Sequence, residues 1–235
     1  MIKELTWDSN FFRKKIGEII LSEVAFFNIK DLLDKAKAEG FHYITCRYEQ
    51  LDIALIKLLT SNGFYLTDIG VIWNINVEKF VPRSNKELKN AIIKAEPSHI
   101  PALKQMSSSL YPDSRFYNDP FFNKEDAERL FMAWIENSVI GDAADVVFYY
   151  PEKGYITCKK QEVIGKIVLV GVAKQWQQKG IGRALVGKAL DWFYREGIKS
   201  VQVRTQLKNI NAMNFYSGLG FRIQSIDLIF GNILI

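Results

Sequence analysis

Apolar residues in the first third of this chain recur at two spacings, and each spacing predicts a type of element. Residues 27–39 carry apolar side chains at helical spacing and are predicted to form a helix that stops at Gly40. A second helix is predicted over 52–61. Residues 43–48 and 71–77 read as strands. This first segment is therefore predicted to be a small unit of strands and helices.

The rest of the chain follows the same two periods. The predicted helices cover 98–110, 125–140, 181–195 and 211–217, and the predicted strands cover 91–95, 146–150, 155–158, 165–172, 201–205 and 226–235. Mostly antiparallel strands thus lead into an alternating run of strands and helices. This order is typical of an α/β or α+β fold with a mixed sheet.

A polar stretch at residues 79–86 is the predicted domain boundary. It contains Pro82 and follows the strand predicted over 71–77. A chain of 235 residues is long enough for one large domain or two small ones. We therefore expect a small N-terminal α/β domain over residues 1–86 and a second domain over residues 87–235.

The composition is that of a folded protein, because 48% of the residues are hydrophobic and 13% are aromatic. The net charge of +5 is spread along the sequence and not gathered in one stripe, so we expect no nucleic-acid partner. A mildly basic protein still suits an anionic small substrate. No apolar run reaches the roughly 18 residues of a membrane span, so no membrane partner is expected.

Cysteine and histidine usage favour a cytoplasmic protein without a bound metal. Cys46 and Cys158 cannot form a disulfide framework, and the N-terminus lacks the apolar core of a secretion signal. Both features fit a reducing compartment. His42 and His99 are too few and too scattered for a histidine-based metal site.

The clearest chemical signal is a glycine-containing loop between a predicted strand and a predicted helix. Gly180 and Gly182 allow the backbone to approach a ligand closely. The free N–H groups at a helix start, with the positive end of the helix dipole, form a cradle for pyrophosphate. Lys179 and Arg183 add positive charge to this loop.

Three kinds of nucleotide-binding loop compete for this stretch. A dinucleotide-binding fingerprint requires glycine where Leu185 stands, and a Walker A loop requires serine or threonine where Ala189 stands. The remaining pattern is Q-x-x-G-x-G, formed by Gln177, Gly180 and Gly182. It resembles the coenzyme A loop of the GCN5-related N-acetyltransferase family.

A second match to the same family lies near the C-terminus and makes the resemblance specific. The family places an asparagine seven residues before a tyrosine, with a Gly-Phe pair four and five residues after it, and Asn209, Tyr216, Gly220 and Phe221 stand at those positions. The resemblance covers about residues 89–235. It implies this family's α/β (α+β) fold, a mixed, mostly antiparallel sheet flanked by helices, behind the small N-terminal domain.

The resemblance also implies an enzyme that transfers the acetyl group of acetyl-CoA, its cosubstrate, to an amine. It implies that Tyr216 protonates the coenzyme A thiolate, since an O–H acid on a rigid helix suits that leaving group. Backbone N–H groups near residues 170–172 are expected to hold the acetyl carbonyl. The expected cofactor-binding residues are Val170, Val172, Gln177, Gln178, Lys179, Gly180, Ile181, Gly182, Arg183 and Asn209.

A narrower resemblance, to the dTDP-fucosamine acetyltransferase group, extends over nearly the whole chain. Residues 5–12, 114–116, 134–137 and 205–206 carry it. It implies that the acceptor is the amine of a nucleotide-linked 4-amino-4,6-dideoxy sugar. Asp68 aligns with an acidic residue near the sugar amine in that group, a glutamate there, and is the expected acceptor of the amine proton.

Two further residues are predicted to bind the substrate. The guanidinium of Arg115 suits the geometry of a diphosphate, and Tyr117 is a candidate for the wall of a sugar pocket. An ordinary structural role is an equal alternative for Asp68 and Arg115.

Two other functions stay open at this point. The first is acetylation of a different amine, such as a peptide N-terminus, a polyamine or an antibiotic. The second is a non-catalytic module that binds acyl-CoA. The sequence leaves the oligomeric state open as well, with a homodimer as one option.

Overall fold

A computed structural model describes residues 2–21, 29–80 and 86–234 and joins their strands into one ten-stranded mixed sheet. In chain order the strands are Ile2–Glu4 (β1), Ile16–Ile19 (β2), Tyr43–Tyr48 (β3), Tyr65–Asn76 (β4), Ile93–Lys94 (β5), Val146–Tyr150 (β6), Gly154–Gln161 (β7), Ile164–Val172 (β8), Ser200–Gln206 (β9) and Arg222–Ile233 (β10). Across the sheet they lie in the order β1-β2-β3-β10-β4-β9-β8-β7-β6-β5. The pairs β2–β3 and β8–β9 are parallel, and the other neighbours are antiparallel.

Helices pack on this sheet. Among the described residues they are Thr6–Phe12 (α1), Ile29–Ala38 (α2), Ile53–Ser61 (α3), Lys86–Asn90 (α4), Ile100–Ser107 (α5), Arg115–Asn118 (α6), Lys124–Ile140 (α7), Ile181–Arg195 (α8) and Ile210–Gly218 (α9). None of these described helices combines the length and apolar character that crossing a bilayer requires. The mixed, mostly antiparallel sheet with flanking helices confirms the predicted fold.

Alternation along β6 decides which helices cover which face of the sheet. Phe148 packs with α8 in one apolar cluster, whereas Val147 and Tyr149 pack with α5 and α7 in another. Because successive strand residues point to opposite faces, α8 covers one face and the α5–α7 pair covers the other. Each large apolar side chain fully buried in these clusters contributes about 1.5–3 kcal/mol.

The longest helices form where the sequence predicts them. In α7 the side chain of Asn123 caps the first turn by accepting a hydrogen bond from the backbone N–H of Asp126, and Gly141 ends the helix with a φ of 103°. The helix predicted over 98–110 is shorter, because Pro97–His99 forms a separate 3₁₀ turn before α5.

Parts of the N-terminal segment differ from the prediction. Residues 5–12 contain α1, which the sequence analysis did not predict. Strand β4 starts well before the strand predicted over 71–77. The apolar pattern did not predict its first half, because Asp68 and Gly70 occupy the buried face there in place of apolar side chains. The start predicted for a helix at residue 27, the boundary residues 81–85 and the predicted final strand residue 235 lie outside the described residues.

The C-terminal strand is part of the sheet built by the N-terminal segment. β10 lies between β3 and β4 and pairs antiparallel with both. The sheet therefore continues across the predicted boundary near residue 86. The division into two domains stays a prediction.

Candidate active site

The sheet opens where β8 and β9 separate. These parallel strands pair from Ile164 opposite Ser200 to Ile167 opposite Val203. Past that point the described part of β8 stays paired with β7, and β9 stays paired with β4. A gap results between residues 168–172 and the end of β9. It includes residues 170–172, whose backbone N–H groups are expected to hold the acetyl carbonyl.

A cavity of about 410 Å³ occupies this gap. Small-molecule sites commonly enclose about 300–1,000 Å³. Residues of α1, β2, β3, α7 and β10 add to its walls, so segments far apart in the sequence meet here. The predicted site residues that line it are Asp68, Arg115, Val170, Asn209 and Tyr216.

Tyr216 contributes a buried phenol to the cavity wall. It lies in α9, is 5% exposed, and its ring centre is 6.4 Å from that of Trp73 and 5.4 Å from that of Phe221. Burial raises the pKa of Tyr216, because the phenolate would lose its hydration. The hydroxyl therefore keeps its proton at neutral pH and holds it at the cavity.

Asp68 is held by a network of charges that spans four strands. Arg204 donates a 3.0 Å hydrogen bond from Nη2 to Asp68 and binds both carboxylate oxygens of Asp227 at 2.8–3.0 Å. Arg47 lies 2.7 Å from the same Asp227 carboxylate. Burial alone would lower the pKa of Arg204, but its bonds to the two carboxylates outweigh burial and raise it.

Gly70 makes room for this network. A Cβ atom at residue 70 would overlap the carboxylate of Asp227 and the guanidinium of Arg204. Glycine is therefore required in the middle of β4, where a side chain would ordinarily favour the strand.

Arg115 lies at the start of α6 and lines the same cavity. Its guanidinium carbon is 4.5 Å from the ring centre of Phe116, and its Nη1 atom is buried without a hydrogen-bond partner among the described residues. Burial raises the pKa of Asp8 and the nearby Arg115 opposes that rise. A buried donor without a partner costs about 1–3 kcal/mol, so a ligand that accepts from Nη1 recovers that energy.

Tyr117 does not line the cavity. Its hydroxyl donates to the backbone carbonyl of Ser108 over 2.6 Å, and its ring stacks on Phe131. Tyr111 and Phe116 are among the aromatic residues that line the cavity. The substrate contact predicted for Tyr117 stays a prediction.

The predicted cofactor loop lies between β8 and α8. The carbonyl of Val172 accepts a 3.1 Å hydrogen bond from the Gln177 side chain, which closes the loop. Gln178 and Gly180 have positive φ angles of 60° and 80°, and Gly180 directly precedes the first turn of α8. Because glycine adopts this conformation without steric cost, it suits the position where the chain turns into the helix.

The side chains of the loop divide into exposed and buried groups. The ammonium of Lys179 lies 4.7 Å from the ring centre of Trp176, and Arg183 reaches to 3.5 Å from the carbonyl of Gly218. Ile181 is buried in the core, so its backbone is the part near the loop. The loop thus combines an exposed lysine and a half-buried arginine with the start of a helix.

Two small features bring α9 close to this loop. A Cβ at Gly182 would lie 3.2 Å from the ring of Phe215, so glycine allows α8 and α9 to approach each other. Asn209 caps α9, its side-chain oxygen accepting a 3.0 Å hydrogen bond from the backbone N–H of Ala212. No other described residue accepts a hydrogen bond from its amide nitrogen, which is therefore available to a ligand in the cavity.

A sheet that opens at β8 and β9, a buried phenol at the resulting cavity and a glycine loop that leads from β8 into α8 define an acyl-transfer fold. The model of the Acetyltransferase (GNAT) family matches residues 99–221, and the chain belongs to this family of acetyltransferases. The family takes its acyl group from acetyl-CoA. The loop at residues 177–183, which is exposed over 177–180, fits that group, since it offers backbone N–H groups, glycine at its turn and two cations.

The chain is also similar to individual acetyltransferases. It is 25% identical over 229 residues to the dTDP-fucosamine acetyltransferase of Escherichia coli O6:H1 (strain CFT073), covering 95% of this chain and 94% of that protein. It is 23% identical over 175 residues to the mycothiol acetyltransferase of Renibacterium salmoninarum, covering 74% of this chain and 48% of that protein. Its fold matches the crystal structure of a GCN5-related N-acetyltransferase from Sphaerobacter thermophilus with a TM-score of 0.66, at 12% identity, covering 99% of this chain and 76% of that one.

Sequence reasoning missed several residues of this site. Arg47 and Arg204 line the cavity, and Asp227 joins them. A signal for Asp227 was present, because it is a charged residue inside an otherwise apolar run at residues 226–230. A charge placed there must find a buried partner, but the sequence did not identify which one.

Proposed function

We propose that the acceptor is a nucleotide-linked amino-deoxy sugar whose amine attacks acetyl-CoA directly. The observation that carries the proposal is the buried, unpartnered Nη1 atom of Arg115 at the cavity. Arg204 is already bound to two carboxylates, whereas this atom of Arg115 lacks an acceptor among the residues that the structure describes. A diphosphate supplies such acceptors, and a planar guanidinium matches their geometry.

The mixture of charges in the cavity suits a ligand that carries both signs. Three arginines and three acidic residues line it, so it is not simply a positive pocket; they are Arg47, Arg115, Arg204, Asp8, Glu18 and Asp68. An amino sugar on a nucleotide diphosphate carries an ammonium group and two phosphates. Phe116 and Trp134 add apolar wall for the sugar ring.

One relative supports the same class of acceptor. A dTDP-fucosamine acetyltransferase and this chain align over nearly the full length of both. An aligned length of that extent includes the N-terminal residues of β2 and β3 that line the cavity. The match therefore extends to the N-terminal residues of the site.

In the proposed reaction one C–N bond forms and one C–S bond breaks. Acetyl-CoA, when bound, supplies the activated acetyl thioester. Asp68 takes a proton from the attacking amine, directly or through water, and Tyr216 gives one to the departing thiolate. Backbone N–H groups near residues 170–172 stabilise the oxyanion. The products are the N-acetylated sugar and free coenzyme A, and both side chains then exchange protons with solvent.

The proposal is tested by free-thiol release from acetyl-CoA over a panel of amines. We expect a dTDP-linked 4-amino-4,6-dideoxyhexose to react more efficiently than glucosamine, spermidine or a short peptide. Arg115→Ala is expected to raise the KM for the nucleotide sugar about ten- to 150-fold, as the loss of a charged hydrogen bond predicts, and to leave the KM for acetyl-CoA unchanged.

Arg129→Ala is the matched control for this experiment. Arg129 is an exposed arginine that pairs with Asp126 and is not among the residues of the cavity wall. Its replacement is expected to leave both KM values as they are. Efficient acetylation of spermidine or the peptide without turnover of the nucleotide sugar would overturn the proposed acceptor and leave the family assignment intact.

Two further inferences from the sequence accompany this proposal. We infer a cytoplasmic location from the cysteine usage, and we keep the homodimer as an option. Sedimentation of the purified chain with and without acetyl-CoA decides the oligomeric state.

A further inference from the structure

A chain of three hydroxyl groups leads from the core to the cavity wall. Ser107 donates to the backbone carbonyl of Phe131 over 3.0 Å, and Tyr155 bonds to Ser107 over 2.8 Å. Tyr155 is in turn 2.8 Å from the hydroxyl of Tyr111. Ser107 and Tyr155 are fully buried, whereas Tyr111 lines the cavity.

The direction of every hydrogen bond in this chain is fixed by its inner end. A carbonyl can only accept, so Ser107 must use its one hydrogen on Phe131. Tyr155 must then donate to Ser107, and Tyr111 must donate to Tyr155. The hydroxyl of Tyr111 therefore has no hydrogen left for the cavity and presents an oxygen that can only accept.

The phenolic hydrogens stay in place at the pH of an assay. Burial raises the pKa of Tyr155 to about 12 and that of Tyr111 well above its ordinary value. The ring of Tyr111 stacks on Phe131, with centres 4.4 Å apart, which limits its rotation. The accepting oxygen is thus held at a defined place.

That place is close to the part of β8 that separates from β9, in the cavity that Tyr216 also lines. The oxygen of Tyr111 would lie 3.3 Å from a Cβ atom built on Gly171, in the part of β8 that separates from β9. Tyr111 and Tyr216 line the same cavity.

We propose that the oxygen of Tyr111 accepts a hydrogen bond from one N–H of the acceptor amine and so aims the nitrogen lone pair at the acetyl carbonyl. Tyr155 and Ser107 are positioning residues that act through Tyr111. The inference rests on the proposed transfer to an amine. A neutral amine has two or fewer N–H groups and one lone pair, and fixing one N–H fixes the direction of attack.

The same chain cannot remove the proton that the amine loses. It ends on a backbone carbonyl, which holds no exchangeable proton and is too weak a base to take one. Tyr111 therefore orients the amine, and the role proposed for Asp68 as proton acceptor is separate from it.

The test compares Tyr111→Phe and Tyr155→Phe in steady-state kinetics. The acceptors are a dTDP-linked 4-amino-4,6-dideoxyhexose and two amines without a nucleotide, glucosamine and spermidine. Tyr111→Phe is expected to lower kcat/KM for each accepted amine about ten- to a hundredfold, with the KM for acetyl-CoA unchanged. An effect seen with glucosamine or spermidine supports the inference even where the nucleotide sugar is not a substrate.

Tyr155→Phe separates orientation from simple packing. It leaves the oxygen of Tyr111 in place but frees its hydrogen, which can then bind the lone pair of the amine and oppose attack. We expect a loss in kcat/KM for the amine, and no further loss when Tyr111→Phe is added, because both changes act on one contact. Additive losses in the double variant would contradict the inference.

Tyr149→Phe is the matched control. Tyr149 belongs to the same apolar cluster and its hydroxyl accepts a hydrogen bond from the backbone N–H of Glu152, but it does not line the cavity. It is expected to keep full kcat/KM. Full kcat/KM for the amine in Tyr111→Phe would overturn the inference. Tyr111→Phe could instead lose kcat/KM together with a lower thermal unfolding temperature and a higher KM for acetyl-CoA. That result would assign Tyr111 a structural role only and would also overturn the inference.

Discussion

Arg204 in β9 donates a 3.0 Å hydrogen bond to Asp68 in the neighbouring strand β4, and this bond sets a buried carboxylate at the wall of the cavity. The side chain of Asp68 is only 6% exposed, so without the guanidinium its charge would be costly to bury. Asp227 holds the same guanidinium from β10. The position of Asp68 therefore depends on two strands that are distant from it in sequence.

Gly70→Ala is expected to destabilise this arrangement. The added methyl group would overlap Asp227 and Arg204, and disruption of a buried charge pair costs about 3–5 kcal/mol. Urea denaturation measures the free energy of unfolding. Gly218→Ala is the control, since no atom lies within 4 Å of its Cβ position and alanine favours a helix. Equal stability of the two variants would contradict the packing described for residue 70.

Asp68→Asn is expected to lower kcat/KM for the amine about ten- to a thousandfold, as loss of a general base predicts, while the KM for acetyl-CoA stays unchanged. Asp227→Asn provides the comparison, because Asp227 binds both Arg47 and Arg204 but does not line the cavity. We expect Asp227→Asn to cause the larger loss of stability and the smaller loss of kcat. The reverse order would argue that Asp68 serves only to neutralise Arg204.

Tyr216→Phe is expected to lower kcat about ten- to a thousandfold, because the leaving thiolate loses its proton donor. Binding of acetyl-CoA should survive, since the ring and its aromatic neighbours remain. Tyr194→Phe is the control, at an exposed tyrosine of α8. Full turnover by Tyr216→Phe, with chemistry rate-limiting, would remove the acid role.

Because burial raises the pKa of Tyr216, the acid stays protonated at alkaline pH, and kcat of the native chain should not fall as the pH rises toward 10.

Gly180→Val is expected to weaken acetyl-CoA binding by about tenfold or more, since a side chain would enter the loop that approaches the pyrophosphate. Gly197→Val is matched to it, because Gly197 lies past the other end of α8 and has a φ of 77° against 80° for Gly180. Both variants bear the same backbone strain, so circular dichroism should report similar folds. An unchanged dissociation constant for Gly180→Val, measured by calorimetry, would rule out the loop as the cofactor site.

The motifs that named the family were local and could be found in the sequence. The glycine loop lies within one strand-to-helix turn, and Asn209 and Tyr216 lie on a single helix. Spacing along one element is preserved when the chain folds, so these residues were identified without the structure. Long helices with clear ends, such as α7 and α8, were predicted for the same reason.

The contents of the cavity were decided by tertiary structure. Asp68, Arg204 and Asp227 stand on β4, β9 and β10, and their pairing follows from a strand order that places the C-terminal strand between β3 and β4. Tyr111 acquires its accepting oxygen from Tyr155 and Ser107, whose own hydrogens are committed elsewhere. The amino-acid sequence by itself determined which elements form and which family they build. Which charges neutralise one another, and which donors stay free for a ligand, depended on contacts between strands and helices that are remote in sequence, because those contacts follow from packing and not from periodicity.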